Sequence, residues 1–330
     1  MSNNQKQLRD IFGRNNSIDQ LFTVLFLFLL AVLITTPVTS FSQEIKDAST
    51  HKISVSAISI AVTVQNKSGK YITNLTEKDF TIHENGRQQK ITYFNHDFDA
   101  PISLTILLDV SGSMALQEKI KDCKEALRYL LNYLLKPQDE VSLLIFADGE
   151  VEVAVSFTTA KNDLLMTLEN TEAYGQTALN DAVAVSPEFA NKGKNEKRAL
   201  LLLTDGIENV SQSSPDQALE IARKVDVPIY IIGYKIPLSE QYLLEHKRAP
   251  SLTSEGIVST LARFALATGG KAFFLKGTYE LFAAMREIKK ELSHQYIIGY
   301  TSYKNPEDEY RKIQVYTSKK KYKVRTREGY

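Results

Sequence analysis

The sequence predicts an α/β protein in which a doubly wound, mostly parallel sheet is inserted in a β-sandwich made of N-terminal and C-terminal strands. From residue 102 to residue 293, apolar runs alternate with helical stretches, which is typical of a parallel sheet covered by helices on both faces. β patterns without helices flank this region, at 52–94 and after residue 294. Neither flank has enough strands to close a core alone, so we expect the two to pair.

The composition is that of a folded domain with a near-neutral surface. The 330 residues include 40 basic and 39 acidic side chains, and 43% are hydrophobic. A net charge of +1 does not favour nucleic acid as a partner, because that binding needs a clustered excess of Lys and Arg. The single cysteine excludes an internal disulfide and a Cys-rich zinc site.

Residues 1–42 are predicted to be a signal peptide or an uncleaved signal anchor. Three basic residues precede an uncharged run from Leu21 to Ile34. Those fourteen residues make about 21 Å of helix, which is short for a bilayer core of about 30 Å. Ser40 and Ser42 supply the small residues of a cleavage site. In either case the rest of the chain is expected in the periplasm, in the cell envelope or outside the cell.

The first half of the sandwich is predicted at residues 43–100. Apolar residues nearly alternate from Ile53 to Val64, which indicates a strand with one break that we interpret as a bulge. Asn85-Gly86 separates extended runs at 80–82 and 91–94. Because both residues tolerate positive φ, they predict a type I′ hairpin turn.

Residues 101–293 are predicted to form the α/β domain. The clearest helix runs from Leu116 to Leu135, with apolar residues at steps of three and four, and Pro137 marks its end. Cys123 lies on this apolar face, so we predict a packed core thiol. The predicted strands are Leu104–Leu108, Val141–Phe146, Ala199–Leu203, Pro228–Ile232 and Lys271–Leu275.

Residues 294–330 are predicted to complete the sandwich with strands at 295–299, 312–317 and 322–327. Arg311 to Arg327 holds eight basic residues and no acidic one. We interpret this run as a solvated edge that discourages aggregation. The alternative is weak contact with an anionic lipid, a cell-wall polymer or a nucleic acid.

The residues that point to chemistry follow the ends of predicted strands. Asp109 ends a buried strand, and Ser111 and Ser113 can turn two hydroxyl oxygens toward one point. Thr177 lies in a loop before a helix, and Asp205 ends another apolar strand. Ligands of doubly wound sheets bind at such strand ends. Oxygen ligands suit a hard cation, so the sequence predicts Mg²⁺, with Mn²⁺ or Ca²⁺ as alternatives.

Each piece also has a purely structural interpretation. Ser111, Ser113 or Thr177 could cap a helix, and Asp205-Gly206 could be a plain turn. The segments that carry Ser111 and Ser113, Thr177, and Asp205 all lie in strand-to-helix loops, and their joint presence favours the metal site. Because neutral hydroxyls cancel little of the cation's charge, we expect a coordination position that attracts a carboxylate from a partner. The predicted function is therefore adhesion without catalysis.

Three segments, DVSGSM, GQTALNDAV and LLLLTDG, resemble in this order the von Willebrand factor type A domain and its metal-ion-dependent adhesion site. The resemblance covers residues 101–293. It implies that Ser111, Ser113 and Thr177 coordinate the metal directly, whereas Asp109 and Asp205 act mainly through water. Gln176 stands where a second glycine is common. The segments NLTEKDF, YIIGY and VRTREGY in the flanks resemble more narrowly the bacterial "VWFA-related" proteins.

Two other classes of function compete with adhesion. Ser111 lacks the Gly-x-Ser-x-Gly frame of a hydrolase, none of the five histidines follows a predicted sheet strand, and no phosphate-binding loop is present. We therefore do not predict an enzyme. A metal that only stabilises the loops, or assists assembly of the cell envelope, is the main alternative. The predicted partner is a protein that presents Asp or Glu to the metal, and the oligomeric state is left open.

Overall fold

The computed structural model describes residues 54–237, 254–304 and 310–330, so the signal segment predicted at 1–42 lies outside the described residues. Within these ranges the strands are β1 Ser54–Gln65, β2 Phe80–Glu84, β3 Arg87–Gln89, β4 Ile91–Asn95, β5 Ile102–Asp109, β6 Glu140–Ala147, β7 Glu150–Thr158, β8 Lys197–Thr204, β9 Ile229–Tyr234, β10 Ala272–Leu275, β11 Tyr296–Lys304, β12 Ile313–Thr317 and β13 Lys323–Arg325. The α-helices are α1 Lys119–Tyr129, α2 Lys161–Asn170, α3 Leu179–Ala190, α4 Pro215–Ala222, α5 Ser254–Ala267 and α6 Thr278–Ser293.

The central sheet has the strand order β10-β9-β8-β5-β6-β7. All neighbouring pairs from β10 to β6 are parallel, and β7 is antiparallel to β6. The chain builds outward from β5 to β7, then returns to the other side of β5 with β8. The strand order therefore reverses between β5 and β8, where ligands of doubly wound sheets bind. The predicted α/β sheet is confirmed, although β7 was not among the predicted strands.

The two faces of this sheet are covered by helices. One core cluster joins the sheet to α1, α2 and α6, and a second joins it to α3, α4 and α5. Alternation along β5 explains the division, because Ile106 and Leu108 belong to the first cluster and Leu107 belongs to the second.

Two antiparallel sheets surround the third core cluster. Their strand orders are β13-β1-β11-β4 and β12-β2-β3. β1 pairs with β11 from Ser54 opposite Lys304 to Val62 opposite Tyr296, so strands from both ends of the chain share one sheet. This arrangement agrees with the predicted sandwich around an inserted α/β domain.

The β flanks confirm one predicted turn and correct one predicted bulge. Asn85 and Gly86 have φ values of 47° and 77°, as the type I′ turn requires. The bulge predicted in β1 is wrong, because β1 pairs with β11 without a register shift. The irregularity lies at Gly299 and Tyr300, where β11 pairs with β4.

The helix predicted from Leu116 begins later. A 3₁₀ segment occupies Gly112–Glu118, the α-helix begins at Lys119, and Leu116 is 43% exposed. Cys123 is buried on the inner face of α1, and burial raises the pKa of its thiol. These observations support the prediction of a packed core thiol.

The α/β domain and the sandwich are joined by short connections and by buried ion pairs. The predicted boundaries after residues 100 and 293 fall between β4 and β5 and between α6 and β11; they stay predictions of domain extent. Glu291 of α6 accepts a hydrogen bond of 2.6 Å from Tyr230 of β9 and pairs with Arg325 of β13. The Glu291 carboxylate thus contacts both the α/β domain and the sandwich.

The basic segment 311–327 is less exposed than its composition suggests. Its three arginines pair with carboxylates: Arg311 with Glu84, Arg325 with Glu291, and Arg327 with Asp226. The five lysines of the segment are exposed. Within the described ranges, no helix combines the length and the apolarity needed to cross a membrane.

Candidate metal site

Four of the five predicted site residues, Asp109, Ser111, Ser113 and Asp205, lie at or just after the carboxyl ends of β5 and β8. Asp109 is the last residue of β5, and Asp205 follows the last residue of β8. Since β5 and β8 are parallel neighbours, their carboxyl ends lie side by side. Both carboxylates are fully buried, at the position where the strand order reverses.

The loop after β5 brings two hydroxyls together. Ser111 Oγ lies 3.1 Å from Ser113 Oγ, and the Ser111 amide donates to Asp109 Oδ1 at 2.9 Å. Ser111 is buried, whereas Ser113 is half-buried. Ser111 precedes the 3₁₀ segment without forming a side-chain capping hydrogen bond. Its hydroxyl is thus directed to its neighbour and does not cap the helix.

Asp109 is held as a buried carboxyl group. Its Oδ2 accepts a hydrogen bond of 2.6 Å from Thr204 Oγ1. Burial first, and then the negative charge of Asp205, raise the pKa of Asp109 to about 7. Within the described part of the chain, Asp109 forms no ion pair. A cation at this position would therefore stabilise the ionised carboxylate.

Asp205 already has a cationic neighbour, Lys119, at the start of α1. Lys119 Nζ lies 2.7 Å from Asp205 Oδ2 and 3.3 Å from the Ser113 carbonyl oxygen. Asp205 Oδ1 accepts a hydrogen bond of 3.1 Å from the Ile207 amide. Lys119 was not among the predicted site residues. The available signal was its position four residues before Cys123, which places it on the buried face of the helix.

The loop that carries Thr177 is connected to both of its neighbours. The Gly112 amide donates to the Gly175 carbonyl oxygen at 3.0 Å. Asp148, in the β6–β7 turn, exchanges two hydrogen bonds with the backbone of Gln176, at 2.6 and 2.7 Å. Gly175 has φ +66°, and a Cβ there would lie 2.2 Å from the Asp148 carboxyl carbon. The departure at Gln176 therefore leaves the loop geometry intact, since only its backbone groups are used.

Thr177 does not cap the helix that follows it. At the N-terminus of α3, the Asn180 and Asp181 amides donate to Ser211 Oγ at 3.0 and 3.3 Å. The Asn180 amide also lies 3.1 Å from Glu208 Oε2. A distant loop thus supplies the cap that the structural interpretation assigned to Thr177. Thr177 is buried, and its carbonyl oxygen accepts hydrogen bonds from the Asn209 and Val210 amides at 3.0 and 3.1 Å.

The predicted donor residues carry the oxygen atoms that suit a hard divalent cation. They supply three hydroxyls and two buried carboxylates, of which only Asp205 has an ammonium partner among the described residues. Within the same ranges, no three His, Cys, Asp or Glu side chains form a group that could hold a metal ion. Oxygen ligands with low total charge suit Mg²⁺, Mn²⁺ or Ca²⁺.

Residues 104–208 match the family model of the von Willebrand factor type A domain. This segment is a von Willebrand factor type A domain. The match runs from β5 to the loop after β8 and includes all five predicted site residues. The narrower resemblance of the flanks to bacterial "VWFA-related" proteins lies outside the matched segment and stays a prediction.

Parts of this chain are similar in sequence to proteins of bacteria and animals. It is similar to an uncharacterised protein of Borreliella burgdorferi, with 24% identity over 206 residues, 58% of this chain and 59% of that protein. It is also similar to the human inter-alpha-trypsin inhibitor heavy chain H3, with 28% identity over 172 residues, 46% of this chain and 19% of that protein. The matches thus span less than two thirds of either relative.

Two solved structures that are similar to this chain share little of its sequence. BatB from Bacteroides thetaiotaomicron has 19% identity and a TM-score of 0.45, over 58% of this chain and 98% of its own. The vWF domain of the pilus tip protein Mfa5 from Porphyromonas gingivalis has 11% identity and a TM-score of 0.45, over 58% and 94%.

Proposed function

We propose that this chain is an exported protein that binds a protein partner through a divalent cation. In this proposal Ser111, Ser113 and Thr177 hold the cation directly, and Asp109 and Asp205 balance its charge. Mg²⁺ is the preferred ion, with Mn²⁺ or Ca²⁺ as alternatives. When bound, the ion supplies an electrophilic centre whose coordination an acidic side chain of the partner completes.

The imbalance of buried charge carries this proposal. Two carboxylates, Asp109 and Asp205, are fully removed from solvent, and the buried ammonium of Lys119 pairs with the second of them. Burying a charge without a partner is costly, and the raised pKa of Asp109 reflects that cost. A bound cation offsets it, which a helix cap or a plain turn would not do.

The surface around the site supports a protein partner. Each loop of the site presents an apolar side chain to solvent: Leu116 is 43% exposed, Tyr174 is 50% exposed and Val210 is 39% exposed. The Tyr174 amide donates to the Val110 carbonyl oxygen at 2.7 Å, and the Val210 amide donates to the Thr177 carbonyl oxygen at 3.1 Å. Apolar side chains held around a charged centre are typical of an interaction surface.

The comparisons support the coarser part of the proposal. The von Willebrand factor type A domain is a protein-interaction module, and one relative is the inter-alpha-trypsin inhibitor heavy chain H3. Export rests on the apolar run before residue 42, and we propose a periplasmic, envelope or extracellular location on that ground.

Calorimetric titration tests cation binding. We expect Mg²⁺ or Mn²⁺ to bind the purified chain with a stoichiometry of one, and Asp109→Ala to abolish binding. Glu152→Gln is the matched control, because it removes an exposed acidic charge on β7 away from the donor set. If the wild-type chain binds no divalent cation, the proposed function is wrong.

Capture from envelope extracts tests partner binding. We expect the immobilised chain to retain a partner in Mg²⁺ and to release it in chelator, with Asp109→Ala retaining none. Retention that ignores both changes would contradict metal-mediated capture.

A purely stabilising cation is the second candidate. The hydrogen bonds that join Gly112 to Gly175 and Asp148 to Gln176 show that the site is also where three loops are fastened. If chelator lowers the melting temperature but leaves partner retention unchanged, this second function is the correct one.

A further inference from the structure

Lys119 is a buried ammonium at the edge of the proposed cation site. Only 2% of the residue is exposed. Its Nζ contacts Asp205 Oδ2 at 2.7 Å and the Ser113 carbonyl oxygen at 3.3 Å. It thus touches the two loops that end β5 and β8, and it is held against a carboxylate that has no solvent to screen it.

The backbone before Lys119 is arranged to deliver it there. Gln117 and Glu118 both adopt left-handed conformations, with φ values of 54° and 56°, which residues other than glycine rarely do. Lys235 Nζ donates to the Gln117 carbonyl oxygen at 2.8 Å and pairs with Asp122 at 2.8 Å. A second lysine therefore holds the turn that places Lys119 beside Asp205.

We propose that the positive charge of Lys119 weakens cation binding and leaves the loaded site with a net positive charge. One carboxylate of the partner then neutralises that charge. This inference rests on the proposed function. Asp109 and Asp205 contribute two negative charges, Lys119 contributes one positive charge, and the divalent cation contributes two. The sum is one positive charge, which equals the charge that a single Asp or Glu of the partner cancels.

Without Lys119 the same count gives a neutral loaded site. Its two carboxylates would already balance the cation, and an incoming carboxylate would add an uncompensated negative charge in a buried setting. Lys119 thereby separates two properties that a structural residue would change together. Its removal should tighten cation binding and weaken carboxylate capture.

The test compares Lys119→Met with Lys119→Arg, which keeps the charge, and with Lys121→Met. Lys121 is the matched control, because it lies on the same helix with its side chain 62% exposed and paired with Glu118. Mn²⁺ affinity is measured by calorimetry. We expect Lys119→Met to bind Mn²⁺ about tenfold more tightly or better, and both other variants to stay within about threefold of the wild type, well below that charge effect.

Carboxylate capture is measured with acetate as the probe. At equal Mn²⁺ occupancy, the paramagnetic broadening of the acetate methyl resonance should be smaller for Lys119→Met than for the wild type and for Lys119→Arg. Thermal unfolding of each variant establishes that it is folded. If Lys119→Met does not fold, Lys119→Gln is compared with Lys119→Arg in the same two measurements.

The outcomes separate this inference from the function on which it rests. A wild-type chain that binds neither Mn²⁺ nor Mg²⁺ overturns the proposed function. A wild-type chain that binds Mn²⁺, with Lys119→Met binding equally or more weakly, overturns the inference about Lys119 alone. Unchanged acetate broadening in Lys119→Met also overturns it, because Lys119 would then contribute nothing to the binding of acetate at the loaded site.

Discussion

Replacing Asp109 by asparagine should stabilise the cation-free protein at alkaline pH while removing its response to Mg²⁺. The substitution keeps the size of the side chain and removes the buried charge. The carbonyl oxygen of the new side chain can still accept from the Ser111 amide, and its NH₂ group can donate to Thr204 Oγ1. Both contacts of the native carboxyl group therefore have a counterpart.

The magnitude follows from the pKa of Asp109, which burial and the charge of Asp205 raise from 3.8 to about 7. Between these values the folded chain keeps a proton that the unfolded chain has released. The stability of the cation-free wild type therefore falls as the pH rises from about 4 to about 7 and then levels off. A shift of about three pKa units corresponds to about 4 kcal/mol at pH 8, and to between about 1 and 2 kcal/mol at pH 5.

Urea unfolding in chelator at pH 5 and pH 8 measures the difference, with Glu152→Gln as the control for loss of an exposed charge. We expect Asp109→Asn to exceed the wild type in unfolding free energy by up to about 4 kcal/mol at pH 8. With Mg²⁺ at about a hundred times its dissociation constant, the wild type should gain about 2.7 kcal/mol, and the variant should gain nothing. The reasoning would be refuted if the variant were less stable than the wild type at both pH values. It would also be refuted if the difference in unfolding free energy were the same at pH 5 and pH 8.

Three further predictions concern the loops and the cores. Gly175→Ala should lower the unfolding free energy by about 2 kcal/mol or more, since φ is +66° and the new Cβ would lie 2.2 Å from the Asp148 carboxyl carbon; an unchanged urea midpoint would contradict this. The Cys123 thiol, which is buried and has a raised pKa, should react with a disulfide reagent only after unfolding, and prompt labelling of the native chain would show that its helix face is accessible. Glu84→Gln should cost about 3 kcal/mol at pH 7, because a neutral amide replaces the carboxylate of the buried ion pair with Arg311. Burial opposes ionisation of Glu84, but hydrogen bonds outweigh it and hold the pKa below 4.5, so the contribution is present above that pH and is lost below it; the gap between variant and wild type should therefore shrink in urea unfolding at acidic pH.

The location of the candidate site at the sheet edge was predictable, because it depends on local patterns. Apolar runs predict strands, and Asp109 and Asp205 each stand where such a run ends. Parallel strands present their carboxyl ends at one edge, so the two carboxylates had to lie near each other once the sheet was recognised. The type I′ turn at Asn85-Gly86 was predictable for the same reason, since its φ values depend on these two residues alone.

Other features depended on contacts that no local pattern contains. β7 has a half-exposed pattern and lies at the edge of the sheet, so it lacks the apolar run by which the other strands were found. The start of the first helix was misplaced at Leu116, because its spacing continued the periodicity although the backbone turns at Gln117 and Glu118. The spacing of apolar residues indicates which face of a helix a residue would occupy, but it does not indicate where the helix begins.

By itself, the sequence determined the alternation of strands and helices, the insertion of the α/β domain between β segments, and the candidate residues at the carboxyl edge of the sheet. Only the tertiary structure decided what those residues contact. Lys119 reaches Asp205 across 86 positions of sequence, and Ser211 and Glu208 cap the helix after Thr177. The physical reason is that periodicity and turn chemistry act over a few residues, whereas the partner of a buried charge is chosen by the packing of elements that are distant in the chain.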